Sequence, residues 1–391
     1  MNRALPLISV IIPMYNAEKY IAECLGSLLG QTFQDFEVIV VDDCSTDSSC
    51  KIVESFIPNF DERLKLAHME KNSGCAPAPR NKGFIISRGE YIYFMDADDA
   101  LTETALEEMY TLAKKFDADV VYCEKYFMST GTGQEFLNNI HLADSRIQAP
   151  PFVDKPTFIS KDLGERIQEL LAVRFWMTPW LRLVSRELLA EYEITFPEII
   201  GSDDFVWTFE VLCAAKRFLR VPNICYVRRM YDDSFTANKK SPNKFIHQWM
   251  DRTIRGLKFT DNFMDKFEFF RKNPVHRYAV LEHFMTCDFG AILLVCADLQ
   301  SAEIYDIFRS EFGKDLGEHD VLVAALCTAL NNQQTTALIN ENNFNQFSKR
   351  TKQQNEQFKQ ILSRAKQRIN ELESSITKCQ QRIAELEAKL K

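Results

Sequence analysis

The sequence lacks several features that would place it in familiar classes. None of its 11 cysteines forms a C-x-x-C pair, so no zinc site is predicted. Residues 1–7 do not contain the apolar core of a signal peptide, and no apolar run is long enough to span a bilayer. The formal net charge of -8 argues against a nucleic-acid partner. We therefore expect a cytoplasmic protein with reduced cysteines, whose membrane contact would be peripheral, at the inner face of the cell membrane.

A glycine-rich loop is also missing after the first predicted strand. Residues 7–12 form a nearly continuous apolar run, typical of a strand buried on both faces, and Pro13-Met14-Tyr15-Asn16 follows it. Because proline cannot donate a hydrogen bond to a strand ladder, we expect the strand to end at Pro13. A sugar-phosphate nucleotidyltransferase could share a parallel sheet, but it would need glycines here to admit a triphosphate. The missing glycines count against that alternative.

What the sequence does contain is a short apolar strand that ends in carboxylates. Residues 91–95 are apolar, and Asp96, Asp98 and Asp99 follow within four positions. Like charges this close repel each other unless a cation lies among them. Mg²⁺ or Mn²⁺ suits a site made of carboxylate oxygens and substrate phosphates. The alternative is an acidic turn that caps the next helix.

Predicted strands and helices alternate through the first 125 residues. Strands are expected at 7–12, 36–41, 64–68, 91–95 and 119–123, and helices at 17–29, 48–56, 78–86 and 102–116. This alternation predicts a Rossmann-like α/β domain with a mostly parallel, doubly wound sheet. Ligands bind such sheets beyond the carboxyl ends of the strands. The polar residues that follow three of these strands are therefore expected to meet in one cleft.

Four motifs, taken in order, resemble the nucleotide-sugar half of the family 2 glycosyltransferases, which have the GT-A fold. They are Pro13-Met14-Tyr15-Asn16, Val40-Val41-Asp42-Asp43-Cys44-Ser45-Thr46-Asp47, Arg80-Asn81-Lys82-Gly83 and Asp96-Ala97-Asp98-Asp99. The resemblance covers roughly residues 7–125. It implies an inverting, hexosyltransferase-type enzyme that uses a nucleotide-sugar donor, in the context of bacterial surface glycans. Pro79 departs from the family, which often has a small residue before the Arg-Asn pair.

The resemblance also implies which residues bind the donor. Pro13 and Tyr15 would line the nucleobase pocket, with Asn16 in the same donor-binding stretch. Asp43 would accept a hydrogen bond from the base, which suits the N–H of uracil and so a UDP-sugar. Tyr15 could instead be a packing aromatic.

Further donor-binding roles fall on charged residues. By resemblance, Arg80 would lie near the base and the diphosphate, Asp96 would contact the ribose or the metal, and Asp98 would hold Mn²⁺ or Mg²⁺. The family often places basic residues of a later strand against the diphosphate, and Arg229 is favoured for this over Arg228. Arg80 could instead be a surface arginine.

The second half of the predicted domain carries the candidate acceptor site and catalytic base. Trp180 could stack on a sugar ring or anchor the core. A helix is predicted to begin at Asp203, where acidic residues complement the helix dipole. By resemblance, the second acid of this pair, Asp204, is the catalytic base, and Asp203 lies beside it in the acceptor site. The acceptor would be a hydroxyl of a glycan or a lipid-linked glycan.

The remainder of the chain is predicted to be helical. Residues 239–330 show helical spacing, and their basic excess over 239–277 could attract anionic lipid headgroups or an anionic glycan, or form a solvated helix face. The Asn- and Gln-rich residues 331–356 are a predicted linker. Heptad spacing over residues 357–391, with Ile369, Ile376 and Ile383 at a positions, predicts a parallel two-stranded coiled coil and hence a homodimer.

These patterns predict five regions and one principal function. Residues 1–125 and 126–238 are the expected donor-binding and acceptor-binding halves of the GT-A domain, followed by the helical region, the linker and the coiled coil. The expected function is metal-dependent transfer of a sugar by a single displacement. A non-catalytic scaffold assembled through the coil is a further alternative. The set of acidic motifs argues against it, because buried carboxylates without a use are costly.

Overall fold

The apolar runs of the first half form a central sheet, seen here in a computed structural model. The structure describes residues 5–129, 135–137, 152–172, 175–199, 201–229 and 255–295, without the side chains of 135–137 and 285–295. These residues belong to one compact unit, Met1–Cys296. The predicted linker and coiled coil lie outside the described residues, so the homodimer remains a prediction.

One sheet of ten strands runs through both predicted halves of the domain. Its strands are β1 (Ile8–Met14), β2 (Phe36–Asp42), β3 (Leu64–His68), β4 (Tyr91–Phe94), β5 (Ala100–Leu101), β6 (Val120–Ser129), β7 (Glu135–Leu137), β8 (Thr157–Phe158), β9 (Arg182–Ser185) and β10 (Phe218–Arg229). The order is β3-β2-β1-β4-β9-β6-β10-β5, with β7 on β6 and β8 on β10.

Helices alternate with the strands along the chain and continue after the last strand. They are α1 (Ile21–Leu29), α2 (Ser49–Phe56), α3 (Pro77–Ile86), α4 (Ala105–Phe116), α5 (Leu163–Leu171), α6 (Arg186–Glu191), α7 (Asp203–Ala214), α8 (255–264), α9 (Glu268–Lys272) and α10 (Pro274–Val295). Helices α8 to α10 confirm the helical prediction over 255–295. No helix in the described part of the chain is both long and apolar enough to cross a membrane.

The prediction of a mostly parallel sheet is confirmed for β1 to β4 and for the pairing of β6 with β10, and an antiparallel strand joins these two groups. Strands β3, β2, β1 and β4 are parallel, but β9 runs antiparallel to both β4 and β6. Strand β9 has only four residues and begins with a charged Arg182, so it carries no clear strand pattern. An antiparallel strand of this kind needs no helical crossover to enter the sheet. The observed sheet is therefore mixed.

Strand β1 continues past the proline that was expected to end it. Pro13 pairs with Val41 of β2, and the backbone N–H of Asp43 donates to the carbonyl of Met14 over 2.8 Å. On its other side β1 loses its partner, because the β4 register stops at Ile11 opposite Phe94. Pro13 thus lies where one edge of β1 is unpaired, and an edge tolerates a residue without an N–H.

Two packing features carry the candidate site residues to the same edge of the sheet. A Cβ on Gly83 would come within 2.4 Å of Ile11 Cγ2, so only glycine lets α3 lie this close to β1. Arg80 lies one turn earlier on that helix. Phe196 stacks on Trp207 of α7 with ring centroids 4.9 Å apart, and Phe94 of β4 packs edge-on against both. This aromatic cluster fixes the start of α7 beside the end of β4.

Candidate active site

A cavity of about 640 Å³ opens at the carboxyl ends of β1, β2 and β4. The predicted site residues that line it are Pro13, Tyr15, Asn16, Asp43, Arg80, Asp96, Asp98, Asp203 and Arg229. Asp204 and Trp180 do not line it. Residues that are far apart in sequence therefore meet in one cleft, as the parallel first half of the sheet requires.

The loop after β1 presents an aromatic ring to this cavity. Tyr15 is 53% exposed, so its ring is not a core anchor. Asn16 follows in a left-handed conformation with φ of 48°, and its side-chain carbonyl accepts the backbone N–H of Thr46 over 2.8 Å. The backbone N–H of Asn16 donates to the hydroxyl of Ser45 over 2.9 Å. These bonds tie the loops after β1 and β2 together and hold Tyr15 at the rim of the cavity.

Asp43 is a buried carboxylate at the end of β2. Its two oxygens accept the backbone N–H of Ser73 over 2.8 Å and the hydroxyl of Ser73 over 2.9 Å. The side-chain amide of Asn72 donates to the carbonyl of Asp43 over 2.7 Å. Each carboxylate oxygen has more than one acceptor position. Asp43 is therefore held rigidly and can still accept an N–H from a ligand in the cavity.

The three aspartates after β4 separate into two kinds. Asp99 is buried, and its oxygens accept the hydroxyl of Tyr226 over 2.6 Å and the backbone N–H of Arg229 over 2.7 Å. Burial raises the pKa of Asp99 well above its ordinary value, and the charges of Asp98 and Asp96 raise it further. All three acids line the cavity, but Asp96 and Asp98 are less buried than Asp99. Asp99 supports the turn, and the other two acids face a ligand.

Asp98 and Asp96 fit a hard divalent cation that arrives with a phosphate ligand. In the described part of the chain, three potential ligand atoms within 4.8 Å of one another occur at Asp42, Cys50 and His68 and not at the end of β4. A cation at Asp98 would therefore need further oxygens from a ligand. Mg²⁺ and similar ions are commonly held by one or two carboxylates together with substrate phosphates.

Arg229 brings positive charge to the same end of the sheet. Its Nε donates to the backbone carbonyl of Asp98 over 3.1 Å, its Nη2 pairs with Glu23, and its guanidinium lies 5.4 Å from the ring centre of Tyr20. Arg228 also lines the cavity. Both arginines therefore border the cavity, and its lining does not distinguish Arg229 from Arg228.

Arg80 is buried, which excludes the surface-arginine alternative. Its Nη2 donates to Asp96 over 2.8 Å, and its Nη1 donates to Asp204 over 2.7 Å and to Asp203 over 3.2 Å. The guanidinium also lies 4.9 Å from the ring centre of Phe196. Sequence reasoning missed this bridge. No local pattern links Arg80 to acids more than 120 residues away.

Asn81, the residue after Arg80, links the same helix to the segment before α7. The side-chain amide of Asn81 donates to the carbonyl of Phe196, and its oxygen accepts the N–H of Phe196, each over 2.8 Å. The Arg-Asn pair therefore fastens α3 to the segment that leads into α7. Pro79, the departure from the family pattern, is buried in the first turn of α3, where proline is tolerated.

The acidic pair at the start of α7 is also divided. The side chain of Asp203 is 10% exposed and that of Asp204 is 38% exposed. Burial and then the neighbouring charge of Asp204 raise the pKa of Asp203 to about 7, against the opposing charge of Arg80. The pKa of Asp204 is also raised, chiefly by desolvation and then by Asp96, again against Arg80. Asp204 is the more accessible acid of the pair.

Trp180 does not serve as an acceptor platform. It is 5% exposed and stacks on Tyr226 with ring centroids 4.4 Å apart, while Tyr126 packs edge-on against it. A ring this buried offers no face to a sugar, so the core interpretation applies and the acceptor-binding one is wrong. Its packing holds Tyr226, which in turn binds Asp99.

Comparison with known proteins shows which family this part of the chain is similar to. Residues 9–189 match the family described as Glycosyl transferase family 2. Those residues are therefore similar to the domain of the family 2 glycosyltransferases.

Several relatives are glycosyltransferases by name. The chain is 37% identical to glycosyltransferase GlyG of Streptococcus pneumoniae, covering 41% of this chain and 59% of that protein. It is 31% identical to the uncharacterized glycosyltransferase EpsJ of Bacillus subtilis, covering 61% of this chain and 65% of that one. For the poly(ribitol-phosphate) beta-glucosyltransferase of Bacillus spizizenii the identity is 34%, and the shares are 54% and 30%. The chain thus spans less than two thirds of each of these relatives.

A solved structure supports the fold. TarS 1–349 of Staphylococcus aureus, crystallised in complex with UDP-GlcNAc, matches with a TM-score of 0.51 at 25% identity. The match covers 75% of this chain and 84% of that one. The mixed α/β sheet described above is therefore a GT-A-type domain.

Proposed function

We propose that the protein is a metal-dependent inverting glycosyltransferase that moves a sugar from a UDP-sugar to a hydroxyl of a glycan or lipid-linked acceptor. One observation carries this proposal. The motif residues Tyr15, Asp43, Asp96 and Asp98 meet in one cavity. Arg80 connects this cavity to α7, because it binds both Asp96 and Asp204.

The donor end of the cavity suits a uridine nucleotide. Tyr15 offers an exposed aromatic face for stacking, and Asp43 is a fixed acceptor for the N–H of uracil. The matched structure of TarS was crystallised with UDP-GlcNAc, which supports UDP as the nucleotide. Asp96 and Asp98 would hold Mn²⁺ or Mg²⁺ beside the diphosphate, with Arg229 adding charge nearby. The ion, when bound, would stabilise the negative charge of the departing diphosphate.

Asp204 is the proposed general base. It would take the proton of the acceptor hydroxyl as that oxygen attacks the anomeric carbon from the face opposite the diphosphate. A single displacement of this kind inverts the anomeric configuration and needs no protein nucleophile. The raised pKa of Asp204 suits the role, because a base works best with a pKa near the operating pH. Asp203 would support the acceptor side from its more buried position.

The broader setting is also a proposal. Named relatives include enzymes of poly(ribitol-phosphate) glycosylation, which supports a role in bacterial surface-polysaccharide synthesis. The boundaries at residues 125 and 238, the coiled-coil homodimer, and peripheral contact with the cytoplasmic face of the membrane stay predictions. The nucleotidyltransferase alternative remains disfavoured, because Pro13-Met14-Tyr15-Asn16 contains no glycine.

A donor screen tests the proposal. Purified protein is incubated with Mn²⁺ or Mg²⁺ and a panel of nucleotide sugars, and release of free nucleotide is measured. We expect release from a UDP-sugar that stops when the metal is chelated. Calorimetry of the nucleotides alone should show UDP binding more tightly than GDP. Tighter binding of GDP would contradict the uridine assignment, and an absence of release from every donor would contradict the activity.

A further inference from the structure

Three side chains of different chemistry, all of them metal ligands, meet at the ends of β2 and β3. A ring nitrogen of His68, a carboxylate oxygen of Asp42 and the Sγ of Cys50 lie within 4.8 Å of one another. None of these three residues lines the cavity described above. Imidazole, thiolate and carboxylate together are typical ligands of zinc, whereas Mg²⁺ takes oxygen ligands. The group therefore differs in chemistry from the carboxylates at the end of β4.

The sheet brings these ligands together without a local motif. Asp42 is the last residue of β2, His68 is the last residue of the neighbouring parallel strand β3, and the two are register partners. Cys50 is the second residue of α2. A site assembled from two strands and a helix needs no C-x-x-C pair, so the absence of such pairs from the sequence does not exclude it.

The separation of two of the ligand atoms suits a tetrahedral ion. His68 Nδ1 lies 3.3 Å from Asp42 Oδ2. Nitrogen and oxygen atoms held about 2.0–2.2 Å from a tetrahedral zinc lie about 3.3–3.5 Å apart. The other oxygen of Asp42 accepts the backbone N–H of Ser45 over 3.1 Å. Metal-ligating carboxylates are commonly oriented by such a hydrogen bond.

Burial and access also suit a bound ion. Asp42 is buried and Cys50 is partly buried, whereas the side chain of His68 is 55% exposed. An ion can reach the group from the solvent beside His68, and the ligands on its inner side are shielded from water. A buried carboxylate whose ion-pair partner is a half-exposed imidazole gains charge balance from a divalent cation.

We propose that Asp42, Cys50 and His68 form a zinc site, with water in the fourth position, that fastens the ends of β2 and β3 to the first turn of α2. On binding, zinc replaces the direct contact between His68 and Asp42, and the thiol proton of Cys50 passes to solvent. The site is separate from the proposed Mn²⁺ or Mg²⁺ site at Asp98 and does not depend on the proposed activity.

The first test measures zinc affinity. The full chain is kept reduced, stripped of metal and titrated with zinc in competition with a chromophoric chelator, and one zinc per chain is expected. Loss of a side chain that only orients a metal ligand lowers affinity by about 10–100-fold, so Cys50→Ser and His68→Ala should each weaken binding by at least about tenfold. Cys44→Ser is the matched control, because it removes a neighbouring, partly buried thiol that is not in the group. It should bind zinc as the wild type does.

Cobalt reports on the thiolate directly. A bond between Co²⁺ and a thiolate gives a charge-transfer absorption band that oxygen and nitrogen ligands do not give. We expect this band in the wild type and in Asp98→Ala, and we expect its loss in Cys50→Ser. Excess Mg²⁺ should leave the band unchanged, because that ion takes oxygen ligands.

Several outcomes would overturn the inference. They are a wild type that binds no zinc, a cobalt band that survives Cys50→Ser, and zinc binding that is lost equally in Cys44→Ser. Zinc lost in Asp98→Ala would place the ion in the donor cavity instead. If circular dichroism shows that Cys50→Ser is unfolded, His68→Ala decides, because it changes a side chain that is more than half exposed.

Sugar transfer enters none of these measurements. A wild type that binds zinc at this site and releases no nucleotide from any donor would contradict the proposed function alone. An active enzyme whose zinc affinity is the same in Cys50→Ser and His68→Ala as in the wild type would overturn the zinc site alone.

Discussion

Two groups of aspartates flank Arg80, one at the end of β4 and one at the start of α7, and each contains a buried acid beside a more accessible one. Asp99 is 5% exposed and Asp203 is 7% exposed, whereas Asp98 and Asp204 are partly exposed. Burial and a neighbouring carboxylate raise the pKa of both buried acids. This difference in burial supports the proposal that the buried acid of each group is structural and that its neighbour takes part in the chemistry.

The groups differ in how their charge is balanced. Asp99 accepts hydrogen bonds from two uncharged donors, the hydroxyl of Tyr226 and the backbone N–H of Arg229. Neither donor carries a positive charge that would neutralise the carboxylate. Arg80 binds both acids of the α7 pair, whereas in the β4 group it binds Asp96 and neither Asp98 nor Asp99. A group without enough positive charge of its own is the one that recruits a metal ion. This difference supports the proposal that the metal binds at the end of β4 and that the general base lies at the start of α7.

The largest expected effect comes from the β4 group. Asp98→Ala should abolish metal-dependent donor binding, because this cavity-lining acid is the proposed ligand of the divalent ion. Calorimetry of UDP with and without Mn²⁺ measures the loss, and circular dichroism should show an intact fold, since the site lies after a strand end. Asp154→Ala, which removes an exposed acid that does not line the cavity, is the matched control. Normal turnover by Asp98→Ala without added metal would refute the assignment.

The next effect comes from the accessible acid of α7. Asp204→Asn keeps the shape of the side chain but cannot accept a proton at neutral pH. Transfer should fall by about 10²–10⁴-fold, the usual contribution of general-base catalysis. The dissociation constant of the nucleotide sugar should stay within a few-fold, because Tyr15, Asp43 and Asp98, which we propose bind the donor, are unchanged. Single-turnover rates and calorimetry check the two halves of this prediction. If Asp203→Asn slowed transfer more, the base assignment would move one residue back.

The donor end of this comparison was largely predictable from the sequence, and the link between the two ends was not. Apolar runs followed by polar residues identified β1 to β4, and the parallel sheet then required Tyr15, Asp43 and Asp96 to meet. The bridge through Arg80 and the antiparallel β9 depend on contacts between distant segments. Local periodicity carries no information about such contacts. The same limit applies to Trp180, because an aromatic that packs and one that binds sugar look alike in sequence.

The smallest effect on turnover, and the one that sharpens the comparison most, is expected at Asp203. If Asp203 is a scaffold acid, Asp203→Asn should slow transfer less than Asp204→Asn does, and it should change how stability depends on pH. The pKa of Asp203 is about 7 in the folded protein, above its ordinary value of 3.8. Between these values the unfolded chain has released the proton and the folded protein still binds it.

The sign of the effect follows from this difference in bound protons. The stabilisation from protonated Asp203 is fully present below about pH 4 and is lost as the pH rises through about 7. The free energy of unfolding of the wild type should therefore fall over this interval more steeply than that of Asp203→Asn, because asparagine does not titrate. Urea unfolding of both proteins at several pH values between 4 and 8 measures the difference. Parallel curves would show that Asp203 is ionised throughout and that Arg80 neutralises it as a simple ion pair, which would make the two acidic groups less alike than their burial indicates.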